Sequence, residues 1–138
     1  MIILDTNVVS EPSRRKPSPA VLGWLAAQDP LQLFTTTATE AELHYGLALM
    51  PSGRRRDELE RAVSGFLTGL NERILSFDRR AAAEFGKIAS ARRKAGLEIK
   101  VFDSQIAAIA RAHGAAVATR DIGDFEGSGI KIVNPWAT

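Results

Sequence analysis

The chain has no cysteine in 138 residues, which excludes a disulfide framework, a thiolate metal site and a cysteine nucleophile. Its only two histidines, His44 and His113, fall on separate helical stretches without metal-ligand spacing and read as ordinary surface or core residues. Aromatic residues make up 7%, and Trp24, Tyr45 and Trp136 form no evident base-stacking platform. Long apolar runs are missing too. The N-terminal run stops at Asp5, too short for a signal peptide or a membrane span, and no other segment approaches ~20 apolar residues. The expected location is therefore the cytoplasm, with no membrane partner. No serine nucleophile elbow, Walker loop or complete dinucleotide glycine pattern occurs, and Gly127-Ser128-Gly129 reads as a turn. Eighteen basic against sixteen acidic residues leave a formal charge of +2, which does not by itself name a polyanionic partner.

What is present is an ordinary globular composition, 45% hydrophobic and 25% charged, in a chain of a length that fits one domain over residues 1–138. The stretch that organises it is Met1 to Asn7. Four apolar residues including β-branched Ile2 and Ile3, without alternation, predict a strand buried on both faces, as in the centre of a parallel sheet. Val8 to Glu11 is expected to make a helical turn, followed by a basic loop punctuated by Pro12, Pro17 and Pro19. Ser18-Pro19 opens a helix carrying Val21, Leu22, Trp24 and Leu25. Leu31 to Thr36 predicts a second strand, and Thr39 to Met50 a helix with Leu43, Leu47 and Met50 on one face.

Beyond Pro51-Ser52-Gly53, Arg54 to Leu70 is an amphipathic helix bearing Leu59, Val63, Phe66, Leu67 and Leu70. Arg73 to Phe77 predicts a third strand. Asp78 caps a helix over 79–95, with Ala82, Phe85, Ile88, Ala89 and Arg92 at helical spacing and Gly96 as its stop. After a short connection, Asp103 stands at or near the start of a helix ended by His113-Gly114. Ala115 to Thr119 and Ile130 to Val133 are the last strands, separated by a polar loop. Strands alternating with helices in this order predict an α/β fold, a three-layer α/β/α sandwich around a mainly parallel sheet.

Four carboxylates occupy equivalent places in that scheme: Asp5 ends a strand, Glu42 lies in the first turn of a helix, Asp103 begins another, and Asp121 follows a strand. In a parallel sheet these places share one edge, where ligands bind. Each also has a structural reading. Asp5 and Asp103 suit N-caps, Thr39 with Glu42 matches a capping box, and Asp121 with Asp124 suits a turn. If they converge, two charges ~4 Å apart at an effective dielectric of ~20 repel by about 4 kcal/mol. A hard divalent cation, Mg²⁺ or Mn²⁺, relieves this with oxygen ligands and suits phosphodiester hydrolysis. Basic clusters at Arg14-Arg15-Lys16, Arg54-Arg55-Arg56, Arg79-Arg80 and Arg92-Arg93-Lys94 are either solvated faces or contacts to a phosphate backbone.

Asp5-Thr6-Asn7 after an apolar strand, Ala41-Glu42-Leu43 with Gly46, Asp103 before Ile106-Ala107-Ala108, and Thr119-Arg120-Asp121 with Asp124-Phe125 resemble, in that order, the motifs of PIN-domain nucleases. Asn134-Pro135-Trp136 and Ser10-Glu11-Pro12 are most similar to the FitB-type branch of the VapC toxins. The resemblance implies a Mg²⁺- or Mn²⁺-dependent endoribonuclease, the toxin of a toxin–antitoxin pair. It implies Asp5, Glu42, Asp103 and Asp121 as the acidic quartet, with Asp5 and Asp103 the principal metal ligands. Glu42 then helps to hold or activate water, and Thr6, Asn7, Thr119 and Asp124 support the site.

As partners the resemblance implies RNA, a homodimer, and a small antitoxin with a ribbon-helix-helix domain through which the complex reaches operator DNA. An apolar groove beside the basic loop, with Leu47 or Trp24 as anchors, is the expected antitoxin seat. The rival from another class is a non-catalytic α/β binding or regulatory module whose acids are caps. A phosphatase with Asp5 as nucleophile is disfavoured, because Asn7 stands where its second acid belongs.

Overall fold

A computed structural model describes residues 1–137. Strand β1 (Ile2–Leu4) leads into a short helix α1 (Thr6–Ser10), followed by a 3-10 turn, Glu11–Ser13. Helix α2 (Pro19–Ala26) precedes β2 (Leu33–Thr36), which runs directly into α3 (Thr37–Leu49). Then come α4 (Arg54–Leu70), β3 (Ile74–Leu75), α5 (Arg79–Lys94), α6 (Val101–His113), β4 (Ala116–Ala118) and β5 (Ile132–Val133). The strands form one sheet in the order β3-β2-β1-β4-β5, with every pairing parallel. No helix is long and apolar enough to cross a membrane among the described residues.

Alternation along the strands sorts the core into two layers. Ile3 and Val117 face α5 and α6, where Ile88, Ile106 and Ile109 are fully buried, together with Phe125 of the 3-10 turn after β4. Leu4 and Ala118 face the other way, onto Val8, Val21, Leu43 and Val63. The three-layer sandwich predicted from the sequence is the observed architecture. Because the chain builds β1, β2 and β3 outward in one direction and then returns to place β4 on the other side of β1, the topological switch point lies between β1 and β4. Crevices in open α/β sheets form there.

Several local expectations are corrected. The outer strands are shorter than predicted: only Ile74–Leu75 and Ile132–Val133 pair, since each sits at an edge with a single neighbour. Pro30–Gln32 is a 3-10 turn and not the start of β2. Thr39 is not the cap of α3. With no loop between β2 and α3, the extended Thr36 takes that role, and its hydroxyl accepts from the Thr39 N–H at 3.1 Å. Glu42 therefore lies in the second turn and closes no capping box. Asp103 is not an N-cap either, because α6 begins at Val101 behind Lys100 and Asp103 falls inside its first turn. On α5 the buried stripe runs through Ala81, Ile88 and Arg92, and Ala82 is exposed.

Arg92 is the least expected member of that stripe. It is 4% exposed and donates to the carbonyls of Glu98 at 2.9 Å, Gly123 at 3.3 Å and Glu126 at 2.8 Å. One guanidinium thus ties the segment entering α6 to the 3-10 turn Ile122–Phe125 that follows β4. Its place in a basic cluster is a matter of sequence neighbours, and it is not available to a phosphate. Arg92→Ala removes three charge-assisted hydrogen bonds and a packed side chain, so a loss of about 2–3 kcal/mol is expected in urea denaturation. A loss below about 0.5 kcal/mol would mean that the two segments are anchored by something else.

Candidate active site

Asp5 is the first residue beyond β1, and its N–H still pairs with Ala118 O at 3.0 Å. The residue is 3% exposed, and its carboxylate is held from two sides. Thr6 N–H donates to Oδ1 at 2.7 Å, capping α1, and Thr119 Oγ1 donates to Oδ2 at 2.7 Å from the end of β4. The capping reading of Asp5 and the site reading are therefore both true. Thr119 also accepts from Asp121 N–H at 3.0 Å, so a single hydroxyl orients a buried carboxylate and the loop behind it.

Two further carboxylates come to Asp5 from opposite layers. Glu42 arrives on α3, its Oε1 accepting from Thr6 Oγ1 at 2.7 Å. Asp103 arrives on α6 and accepts no hydrogen bond from the described residues. The three offer oxygens that all lie within 4.8 Å of one another. Asp121 and Asp124 line the same cleft of about 430 Å³, outside that triad. Asn7 donates to Asp121 Oδ2 at 3.0 Å and receives Arg120 N–H on Oδ1 at 3.4 Å. All eight residues singled out from the sequence thus assemble at the switch point, either lining the cleft or, for Thr119, bonded to a residue that does.

Two lining residues were missed. Ser10 stands one turn after Thr6 and donates to its carbonyl at 2.6 Å. Lys100 caps α6 and makes an ion pair with Asp124 at 3.1 Å. The only sequence signal for Lys100 was its place three residues before Asp103, in a stretch read as a plain connection.

The cluster is electrostatically tense. Burial pushes Asp5 up from 3.8 to about 6, against the hydrogen bonds from Thr119 and Thr6 that favour its charged form. Asp103 is pushed up to about 7, first by burial and then by the charges of Asp5, Asp124 and Glu42. A hard cation fits this donor set: three carboxylates at mutual ligand distance, with Asp5 oriented by fixed donors and Asp103 free of them. The arrangement defines a class, a parallel α/β fold with a cluster of carboxylates at its switch point.

Comparison with known proteins narrows the class. The PIN domain family model matches residues 2–126, and the chain belongs to that family. It is 47% identical over 137 residues to plasmid stability protein StbB of Pseudomonas syringae pv. tomato, covering 99% of both chains. It is 43% identical to VapC ribonuclease Y4jK of Sinorhizobium fredii, covering 99% of this chain and 98% of that one. The crystal structure of FitAcB from Neisseria gonorrhoeae matches with a TM-score of 0.93 at 38% identity, over 100% of both chains. FitAB bound to an IR36 DNA fragment matches at 0.92 and 39% identity, over 99% of this chain and 96% of that one.

The raised carboxyls give a signed prediction. A carboxyl whose folded value lies above its unfolded one stabilises the fold below the unfolded value, and that stability is lost as pH rises through the folded value. Cation-free protein is therefore expected to melt at lower temperature at pH 8 than at pH 5. Asp103→Asn, neutral throughout, should flatten this slope, and Mn²⁺ should raise the wild-type melting temperature at pH 8 far more than the variant's. A variant with the wild-type slope would contradict the assignment.

Proposed function

We propose that the chain is a divalent-metal-dependent endoribonuclease and the toxin of a type II toxin–antitoxin module. The observation that carries the reading is the convergence of Asp5, Glu42 and Asp103 oxygens within 4.8 Å at the switch point. It is supported by the similarity to a VapC ribonuclease along nearly the whole chain. Asp5 and Asp103 are the principal ligands of Mg²⁺ or Mn²⁺, which when bound supplies Lewis-acid neutralisation of phosphodiester charge and activation of water.

The protein's own groups do the rest. Thr119 and the Thr6 N–H hold the Asp5 carboxylate, with both oxygens already aligned before a cation arrives. Glu42, steadied by the Thr6 hydroxyl, accepts the proton lost by the attacking water as its oxygen joins phosphorus and a P–O ester bond breaks, the departing oxygen taking a proton from solvent. Asn7 holds Asp121 at the rim, where it completes the acidic wall.

The partners in this reading are RNA, an antitoxin and a second copy. An apolar groove of about 330 Å³ runs from the cleft between α3 and α4, lined by Leu43, Leu47, Met50, Leu59 and Val63. Thr6 and Glu42 line the groove as well as the cleft, and Arg14 of the basic loop stands at its side. This supports it as the seat of an antitoxin segment that also covers the acids. Trp24 is not part of it. That ring packs into the core with Leu25, near Trp136, and is withdrawn as an anchor. A ribbon-helix-helix antitoxin carries the complex to operator DNA. Exposed Val101, Phe102 and Ile122, 39–56% accessible beside the cleft, offer apolar surface to a second copy.

Cleavage of a mixed single-stranded RNA pool by antitoxin-free protein tests the chemistry. Cutting is expected with Mg²⁺ or Mn²⁺ and not with EDTA. Asp5→Asn and Asp103→Asn should lose at least about a hundredfold, and Thr119→Val about tenfold, with the fold retained by circular dichroism. Well-folded, metal-loaded wild type that cuts neither RNA nor DNA would shift the reading to a binding module. For the partners, Leu47→Glu is expected to abolish antitoxin copurification and Phe102→Asp to give a monomer by light scattering. Retained binding or dimerisation would remove the corresponding surface.

A further inference from the structure

Five carboxylates line the cleft with one basic side chain, Lys100, among the described residues. A phosphodiester entering such a pocket meets repulsion that a cation held by Asp5 and Asp103 only partly offsets. Three other bases of the region do not line the cleft and have partners elsewhere. Arg92 is buried on backbone carbonyls, Arg14 is paired with the buried Glu11 at 3.4 Å, and the Arg120 guanidinium stacks 4.9 Å over the Trp136 ring. Among the described residues Lys100 is the one base that lines the cleft, and its charge is held by a displaceable partner.

We propose that Lys100 is a substrate-phosphate anchor. In the free protein its ammonium rests on Asp124, and on RNA binding it moves to a non-bridging phosphate oxygen. This rests on the nuclease reading above.

Three features of the geometry support the exchange. The backbone is fixed while the side chain reaches solvent: the Lys100 carbonyl accepts from Ser104 N–H at 2.8 Å in the first turn of α6, and the side chain is 48% exposed. The pair with Asp124 is an exposed ion pair of the kind that stabilises little, so leaving it costs little. Lysine is a compact point charge on a flexible chain, suited to meeting a phosphate without a fixed approach angle. In this assignment Asp124 parks the lysine and is not an outer member of the metal site. The rival explanation is that the pair is only a strap from the loop after β4 to the start of α6.

The test compares wild type, Lys100→Met, Lys100→Arg, Asp124→Asn and the double variant Lys100→Met/Asp124→Asn. Multiple-turnover RNA cleavage with Mn²⁺ is measured across a KCl series. Binding of a fluorescein-labelled mixed-sequence RNA 20-mer is followed by anisotropy with Ca²⁺ as the cation, and Mn²⁺ binding by calorimetry.

Lys100→Met should raise KM and the RNA Kd about tenfold. It should also lower the slope of log binding constant against log salt by about 0.7, the value of one phosphate contact on a single strand. Both kcat and Mn²⁺ affinity should stay within about threefold of wild type. Arginine should restore most of the binding. Asp124→Asn, which releases the lysine, should tighten RNA about two- to threefold, and the double variant should match Lys100→Met. Equal losses in Lys100→Met and Asp124→Asn with an unchanged salt slope would establish the strap and overturn the anchor. Wild type that binds and cuts no RNA would overturn the nuclease reading, and the anchor with it. Failure of the anchor alone leaves wild-type cutting intact.

Discussion

The hydrogen bond from Thr119 to Asp5 joins the two strands on either side of the switch point, and the site depends on it. A carboxylate that is almost wholly buried cannot stay charged without donors, and Asp5 has two within 2.7 Å, each from a different strand end. The bond exists only if β1 and β4 are neighbours in the observed register, with Leu4 beside Ala118. Conversely, the register places Asp5 and Thr119, the next residue on each strand, side by side at the edge of the sheet. Fold and site are thus specified by the same pairing. A slip of one residue would turn Asp5 into a core layer and send Leu4 to the crevice.

Around that bond the molecule accepts a cost that a purely structural domain would avoid. Burial works against the charge of both Asp5 and Asp103, the neighbouring acids add to it, and Asp103, with no hydrogen bond to favour its charged form, is pushed the higher of the two. The fold offsets this from outside the cluster. Leu4, Val8 and Val9 are nearly fully buried around Asp5, and Arg92 pins the two segments that carry Lys100 and Asp124. Asp103 keeps the freedom that Asp5 lacks, receiving no donor. In the nuclease reading, one carboxylate held by fixed donors beside one without any suits a cation site that has to give up few internal hydrogen bonds on binding.

Much of this was legible in the sequence because it depends on local chemistry. A short unalternating apolar run followed by Asp-Thr-Asn could be placed as a central strand ending at a crevice. Gly96 and Gly114 could be read as helix stops, and both take positive φ, 74° and 62°. The cap of α3 was not legible, since Thr35, Thr36, Thr37 and Thr39 all offer a hydroxyl and only the absence of a loop selects Thr36. The edge strands were over-read because β-propensity does not say how many neighbours a strand has. Arg92 showed its helical register with Phe85 and Ile88, yet its partners lie in two segments folded back from later in the chain. Lys100 was invisible for the same reason: Asp124, 24 residues on, gives it a meaning that no local pattern carries.

The cleft and the groove share a wall, and that has a consequence for control. Thr6 and Glu42 face both spaces, with the Thr6 hydroxyl bonded to the Glu42 carboxylate between them. In the toxin reading, a chain segment seated on Leu47 and Met50 is directed along α3 toward the acids, and RNA reaching those acids must pass the same wall. Inhibitor and substrate therefore compete for adjoining surface, and no conformational change has to be relayed through the core to switch activity off. Displacing a segment held mainly by apolar contact is also selective against RNA, whose phosphates gain nothing from Leu47 and Met50 and are drawn instead to a cation deeper in the cleft. The apolar groove favours the protein partner, the charged cleft favours the nucleic acid, and the short wall between them lets one exclude the other.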